Sequence, residues 1–274
     1  NWEEIVVMKA RQVGVSETFM GKMVYFALHN PRTVSVQAFP VSAMAYEFSK
    51  VRFEPAISEN PLLKGYINYN TWGVSLRGFK NKSFILYESG YIPRMGEARA
   101  TDLVILDEYD NIRESSVSAF LESLSASKYK LRWLVSTPTT SKGGIWVKFL
   151  SGTQTTMHYK CNHCGYWQNM KFPDNLDGTW DKWERAVEQM DAGVDFKFMK
   201  ICRRCKKEMN LLECEFEWVD LYPSKREVHS YQISQLDACW ISATEIMRKR
   251  IKLEDEALWY NYVLGIPYTH SGFV

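Results

Sequence analysis

The run Leu103-Val104-Ile105-Leu106-Asp107-Glu108 constrains the fold more than any other stretch of this chain. Four consecutive apolar residues lack the in–out alternation of a strand with one wet face, so both faces of this strand must be covered. Around it, short apolar runs alternate with helix-like stretches. Strands are expected at Glu4–Met8, Thr33–Ala38, Ser83–Tyr87, Leu103–Leu106 and Arg132–Ser136, and helices at Ser16–His29, Ser42–Glu54 and Ser115–Ala126. This alternation is that of an α/β domain with a mainly parallel sheet. Tyr66–Arg77, rich in β-branched and aromatic residues, is expected to be an antiparallel edge hairpin.

The 274 residues suffice for one large or two modest domains. The composition is that of a globular protein, and the net charge of +2 implies no broad basic field, so any nucleic-acid contact must come from local clusters. The 10 Trp fit either a core or a base-stacking role. No stretch has the length of a membrane-spanning helix and no leader opens the chain, so an intracellular setting without membrane contact is expected. A strand at Ile5–Met8, almost at the first residue, leads us to expect that the chain is part of a longer protein. Composition shifts after Leu150. We therefore expect a core over 1–154, a cysteine module over 155–216 and a C-terminal subdomain over 217–274.

The strand Ile5–Met8 runs into Lys9-Ala10-Arg11-Gln12-Val13-Gly14-Val15-Ser16-Glu17-Thr18 and then an apolar helix. A strand, a turn and a helix N-terminus form an anion site, because unpaired N–H groups and the helix dipole face the ligand. A regular phosphate loop has Gly-Lys-Ser/Thr at the helix start. Here Gly14-Val15-Ser16 supplies the hydroxyl for Mg²⁺ but a valine in place of the lysine, which leaves Lys9 and Arg11 as the nearest cations. The bland alternative is a helix start capped by Ser16.

In a nucleotide hydrolase a buried strand delivers a carboxylate to Mg²⁺, and a neighbouring carboxylate polarises the attacking water. Asp107 and Glu108 fit those two roles. The strand Arg132–Val135 ends in Ser136-Thr137-Pro138-Thr139, a polar tip at the sheet edge where α/β folds bind ligands. There Ser136 or Thr137 could meet the terminal phosphate or its attacking water. Together, in this order, the three motifs point to ATP hydrolysis.

Cys161-Asn-His-Cys164 and Cys202-Arg-Arg-Cys205 are two CxxC knuckles separated by residues 165–201. Four thiolates complete a closed tetrahedral zinc site, which has no open position and is therefore structural. His163 is expected to be exposed, and Cys214 and Cys239 to be buried thiols. Arg203, Arg204, Lys206 and Lys207 flank one knuckle, and Lys160, Trp167 and Lys171 the other, so the module could contact DNA or a neighbouring subunit.

These motifs resemble those of the large terminase subunits of tailed bacteriophages, in the subfamily with a cysteine-rich insertion. Lys9–Glu17 resembles Walker A, Leu106-Asp107-Glu108-Tyr109-Asp110 Walker B with its catalytic glutamate, and Ser136–Thr139 the coupling motif. His229–Ile233, Trp240 and Leu264-Gly265-Ile266-Pro267-Tyr268 resemble the segment that joins ATPase to nuclease. The resemblance implies a RecA-like (ASCE) P-loop NTPase with a zinc-ribbon-like module and a short connecting subdomain. It implies an ATP- and Mg²⁺-dependent motor that moves double-stranded DNA into a procapsid in the host cell cytoplasm. It further implies a homo-oligomeric ring, a portal and a small terminase subunit as partners. Similar proteins carry an arginine-bearing loop where Tyr91–Arg99 stands, so Arg94 and Arg99 join Arg11 as candidates for stabilising phosphoryl charge. An adenine-binding segment before the first strand looks reduced, and no acidic cluster for a nuclease follows, so no DNA cleavage is expected from these residues. Two other readings are a helicase-like or remodelling ATPase, and a zinc-stabilised DNA-binding or assembly module with a degenerate nucleotide site.

Overall fold

The computed structural model describes residues 3–91, 99–178, 180–253 and 255–268. The chain forms two compact units. One comprises residues 1–7, 14–136 and 227–229, the other residues 8–13, 137–226 and 230–274.

The first unit is built on strands β1 (Glu4–Lys9), β2 (Val34–Phe39), β3 (Ile67–Trp72), β4 (Leu76–Phe79), β5 (Phe84–Ser89), β6 (Leu103–Asp107) and β7 (Leu131–Ser136). Their order is β1-β7-β6-β2-β5-β4-β3. The β5–β2, β2–β6 and β6–β7 pairs are parallel, whereas β4 and β3 add antiparallel strands at the far edge, as the hairpin pattern predicts. Every residue of β6 is buried, which is why its sequence never alternates. Helix α1 (Val15–His29) buries Phe19, Met20, Met23 and Ala27 on one stripe, and Phe19 meets Trp133 of β7 at 5.2 Å.

The helix expected over Ser42–Glu54 is interrupted. An α-helical α2 (Ser42–Glu47) widens to a π-helix at Phe48–Phe53 before α3 (Glu54–Ser58). The cause is local. The buried Arg77 donates from Nη2 to the carbonyl of Ser49 at 3.0 Å, and that same carbonyl accepts from the Glu54 N–H, five residues on. Pro55 cannot donate, which removes a further α-type bond. Helix α4 (Glu114–Glu122) follows β6.

In the second unit, β8 (Thr155–Lys160) pairs antiparallel with β9 (Trp167–Asn169) and β10 (Phe216–Val219), and parallel with β11 (Val228–Ile233). Helices α5 (Gly144–Ser151), α6 (Trp180–Asp191) and α7 (Ala243–Lys252) complete it. A capping box starts α7: the Ser242 hydroxyl accepts from the Glu245 N–H, and the Ser242 N–H donates to the Glu245 carboxylate, each at 3.1 Å. Much of the aromatic content is spent on this unit's core. Trp259 is fully buried, with Phe172 at 4.6 Å, and Phe172 in turn lies 5.3 Å from Trp183. Trp218 and Trp240 are exposed. Among the described residues no helix is long and apolar enough to cross a membrane.

Candidate functional site

Parallel registry brings the polar ends of the first unit's strands to one edge. Ala38 of β2 pairs with Leu106, and Asp107 pairs with Val135 of β7, so Phe39, Asp107 and Ser136 end their strands together. In open α/β sheets this carboxyl edge is where ligands bind. Asp107 is only 2% exposed, yet both of its oxygens have donors. Oδ2 accepts from the Gln37 amide at 3.0 Å and Oδ1 from the Glu108 backbone N–H at 3.1 Å.

The second bond depends on an unusual backbone. Glu108 adopts the left-handed conformation, with φ 56° and ψ 47°. That costs a non-glycine residue about 1–2 kcal/mol, and such strain concentrates at functional sites. The turn folds the Glu108 N–H back onto the Asp107 carboxylate. Ser136 Oγ accepts from the Asp110 N–H at 3.2 Å, tying the end of β7 to this turn. Thr137 follows it and is buried.

Ser16, Asp107 and Glu108 line one cleft, together with Phe39, Met44, Glu47, Phe48 and Arg52. Its volume is about 190 Å³. A hydroxyl and a carboxylate are hard oxygen donors of the kind Mg²⁺ selects, so the donor set fits that ion.

The stretch Lys9–Thr18 divides between the units. In the first, Gly14 is the N-cap of α1 at φ 78°, and no side chain caps the helix, so Ser16 lies within the first turn instead of capping it. The Thr18 hydroxyl donates to the Gly14 carbonyl, and Glu17 is exposed. Val15, at the usual lysine position, is apolar and buried, so that position supplies no charge.

The front of the loop is held within the second unit. The Ala10 N–H donates to the Ile233 carbonyl, and the Arg11 N–H donates to the Tyr262 carbonyl, both at 2.8 Å. The Gln235 amide donates to the Arg11 carbonyl at 2.9 Å. The Arg11 guanidinium stacks 3.4 Å from the centre of the Tyr262 ring. Gly265, itself at φ 64°, sits against this backbone: a Cβ there would lie 2.4 Å from the Ala10 nitrogen. Lys9 and Val13 are buried, and Gln12 takes a left-handed φ of 60°.

Of the other arginines, Arg94 lies outside the described residues. Arg99 pairs with Glu88 at 3.7 Å and lines a different groove, of about 660 Å³, with Ser115, Ser118, Glu122 and Ser125. Burial raises the Glu88 carboxyl above its ordinary value, and Arg99 pulls it partly back. No sequence signal points to Arg52. It reaches the Asp107–Glu108 cleft from the π-helical turn and pairs with Glu17 at 2.9 Å.

The second unit gathers the four knuckle cysteines. Their sulfurs all lie within 4.8 Å of one another, with Cys161–Cys205 and Cys164–Cys202 at 3.7 Å. A tetrahedron with metal–sulfur bonds of about 2.3 Å has edges of about 3.8 Å, so the set fits zinc. The two knuckles repeat one backbone pattern. Gly165 donates its N–H to the Cys161 carbonyl and Lys206 to the Cys202 carbonyl, each at 2.9 Å, and both take left-handed φ angles. Burial opposes ionisation of the Cys202 thiol, but the N–H groups of Cys205 and Arg204, together with Gln168 and Cys164, bring it down to about 6. His163 is exposed and outside this cluster. Cys214 is buried as expected; Cys239 is exposed, contrary to expectation, because it lies in the surface turn between Leu236 and Ile241. Arg204, Lys206, Lys207 and Lys171 are exposed around the knuckles.

The fold is of the RecA-like α/β class, with a mostly parallel sheet whose carboxyl edge carries the acidic pair. The chain belongs to the family of phage terminase large subunit gpA ATPase domains, whose model matches residues 1–211. Among solved structures, the large terminase ATPase domain of Thermus phage P74-26 matches at TM-score 0.60 and 15% identity, over 97% of this chain and 88% of that one. The large terminase of a thermophilic bacteriophage matches at TM-score 0.58 and 10% identity, over 97% of this chain and 48% of that one. That of bacteriophage HK97 matches at TM-score 0.58 and 12% identity, over 97% and 47%. This chain thus spans about half the length of the latter two, and at these identities the likeness speaks for the fold. The thermophilic bacteriophage's protein has also been solved in complex with ADP. No curated protein matches the sequence.

Proposed function

We propose that this domain hydrolyses ATP to drive double-stranded DNA into a viral procapsid. The observation that carries the reading is the convergence of Ser16, Asp107 and Glu108 on one cleft at the carboxyl edge of the sheet. Family membership adds the packaging role, and the ADP complex of the thermophilic bacteriophage's large terminase supports nucleotide use.

In this reading Ser16 and Asp107 hold Mg²⁺, which neutralises charge on the phosphates. The loop Lys9–Thr18, through Lys9, Arg11, Gln12, Val13, Gly14, Val15, Ser16, Glu17 and Thr18, cradles the nucleotide. Glu108 takes a proton from water as the water oxygen attacks the γ-phosphorus and the bond to the β-phosphate oxygen breaks, releasing ADP and phosphate. Arg11, Arg94 or Arg99 stabilises the developing charge, and Thr137 reports the hydrolysis state to the DNA-gripping parts. Cys161, Cys164, Cys202 and Cys205 hold a structural zinc.

The functional division is a core over 1–154, a zinc module over 155–216 and a connecting subdomain over 217–274. The motor works as a homo-oligomeric ring with a portal and a small terminase subunit, in the host cell cytoplasm. Phosphate release by this domain, alone and with DNA, tests the reading. Glu108→Ala is expected to cut turnover by about 10²–10⁴-fold, and Lys9→Ala to weaken ATP binding. Wild-type protein that releases no phosphate in either setting would leave the degenerate-site reading standing.

A further inference from the structure

The residue that holds the metal-side carboxylate comes from a different strand and from no recognised motif. Gln37 lies in the middle of β2, is fully buried, and stands between Val36 and Ala38, which are buried too. A primary amide at such a position is costly unless its hydrogen bonds are made. Gln37 pairs in register with Ile105 of β6, and Asp107 lies two residues further along that strand, on the same face as Ile105. The side chain therefore reaches diagonally across the sheet, and its Nε2 meets Asp107 Oδ2 at 3.0 Å.

The opposite orientation of the amide would set its oxygen against a carboxylate, so the donor assignment follows from charge. Among the described residues the amide oxygen has no hydrogen-bond partner. The bond to Asp107 is thus what this buried side chain is placed to make. With Oδ1 held by the Glu108 N–H at 3.1 Å, the carboxylate is fixed at both oxygens.

We infer that Gln37 is a positioning residue: it locks the Asp107 carboxylate in the orientation that receives the metal or its waters. The inference rests on the reading of Asp107 as the metal-side residue. Partners of this kind, one step behind a metal ligand, typically change metal affinity by 10- to 100-fold when removed.

The test is Mn²⁺ binding to the domain, followed by electron paramagnetic resonance in the presence of a non-hydrolysable ATP analogue. Nucleotide binding in EDTA is measured in parallel. Gln37→Met keeps the length of the side chain without its donor, and Gln37→Asn keeps the amide but falls short of Asp107. Each variant is expected to weaken Mn²⁺ binding by about tenfold or more, with metal-free nucleotide binding within about twofold of wild type. If the Met variant fails to fold, the Asn variant carries the same measurement. Unchanged Mn²⁺ affinity in a folded Gln37 variant, alongside loss of affinity in Asp107→Asn, would overturn the role of Gln37. Unchanged affinity in Asp107→Asn itself would instead overturn the metal-side reading of Asp107.

Discussion

The cysteine centre and the carboxylate cleft are built in opposite ways. Each knuckle of the centre is a local object: two cysteines and one left-handed turn residue within five positions, formed twice with the same hydrogen bonds. The cleft has no local object at its heart. Asp107 and Glu108 are adjacent, but Ser16, Gln37 and Arg52 reach them only because parallel strands and a widened helix bring distant segments to one edge. A closed site of soft ligands can be written into a short spacing, whereas an open site of hard oxygens is written into registry.

This contrast decides what can be read from the sequence. The continuous apolar run Leu103–Leu106 identifies the parallel sheet, and the Tyr66–Arg77 pattern its antiparallel edge, because each reflects how many faces a strand must bury. The CxxC spacing identifies four cysteines whose sulfurs converge. Gln37 is invisible, since a single amide inside Val34–Phe39 reads as an imperfection in a strand until its diagonal neighbour is known. Arg52 is hidden by the π-helical turn: its placement depends on Arg77 capturing the Ser49 carbonyl, a contact between segments remote in sequence. The break in the Ser42–Glu54 helix escapes the sequence pattern for the same reason.

The largest effect that separates the two regions is expected from Cys202→Ser. It should release about one zinc per chain and unfold the cysteine module, detected by metal analysis and by proteolysis between residues 155 and 216. Glu108→Ala should keep its zinc in full. Equal zinc content in both variants would show that the four-sulfur cluster is not a metal centre.

A smaller effect should come from the clasp that Gly265 makes on the Lys9–Ala10 backbone. Gly265→Ala places a Cβ 2.4 Å from the Ala10 nitrogen and 2.8 Å from the Ile233 carbonyl oxygen, at a φ of 64°. All of these obstacles are backbone, so the cost should be about 2–4 kcal/mol, seen as a fall in the thermal midpoint. A midpoint within a degree of wild type would mean that the clasp yields freely.

The smallest effect is electrostatic. Burial lifts the Asp237 carboxyl to about 6, against the hydrogen bonds it accepts from Ser234. Between its unfolded value of about 4 and this folded value, the native state holds the extra proton, so this group lowers stability as pH rises through that window. Asp237→Asn should abolish the decline, a difference on the order of 1–3 kcal/mol between pH 4 and pH 6.5, measured by denaturant titration. Parallel wild-type and variant curves would place the carboxyl in a wetter setting.

The most direct test of the central claim is a single turnover of γ-labelled ATP by wild type and by Glu108→Gln, with Mg²⁺ and DNA present. Wild-type protein should release labelled phosphate. The variant, which keeps the shape of the side chain but loses its basicity, should bind ATP and hold it intact, with cleavage slowed by about 10²-fold or more. Cleavage by Glu108→Gln at the wild-type rate would contradict the assignment of the carboxylates at the end of β6 as the chemical centre of this domain.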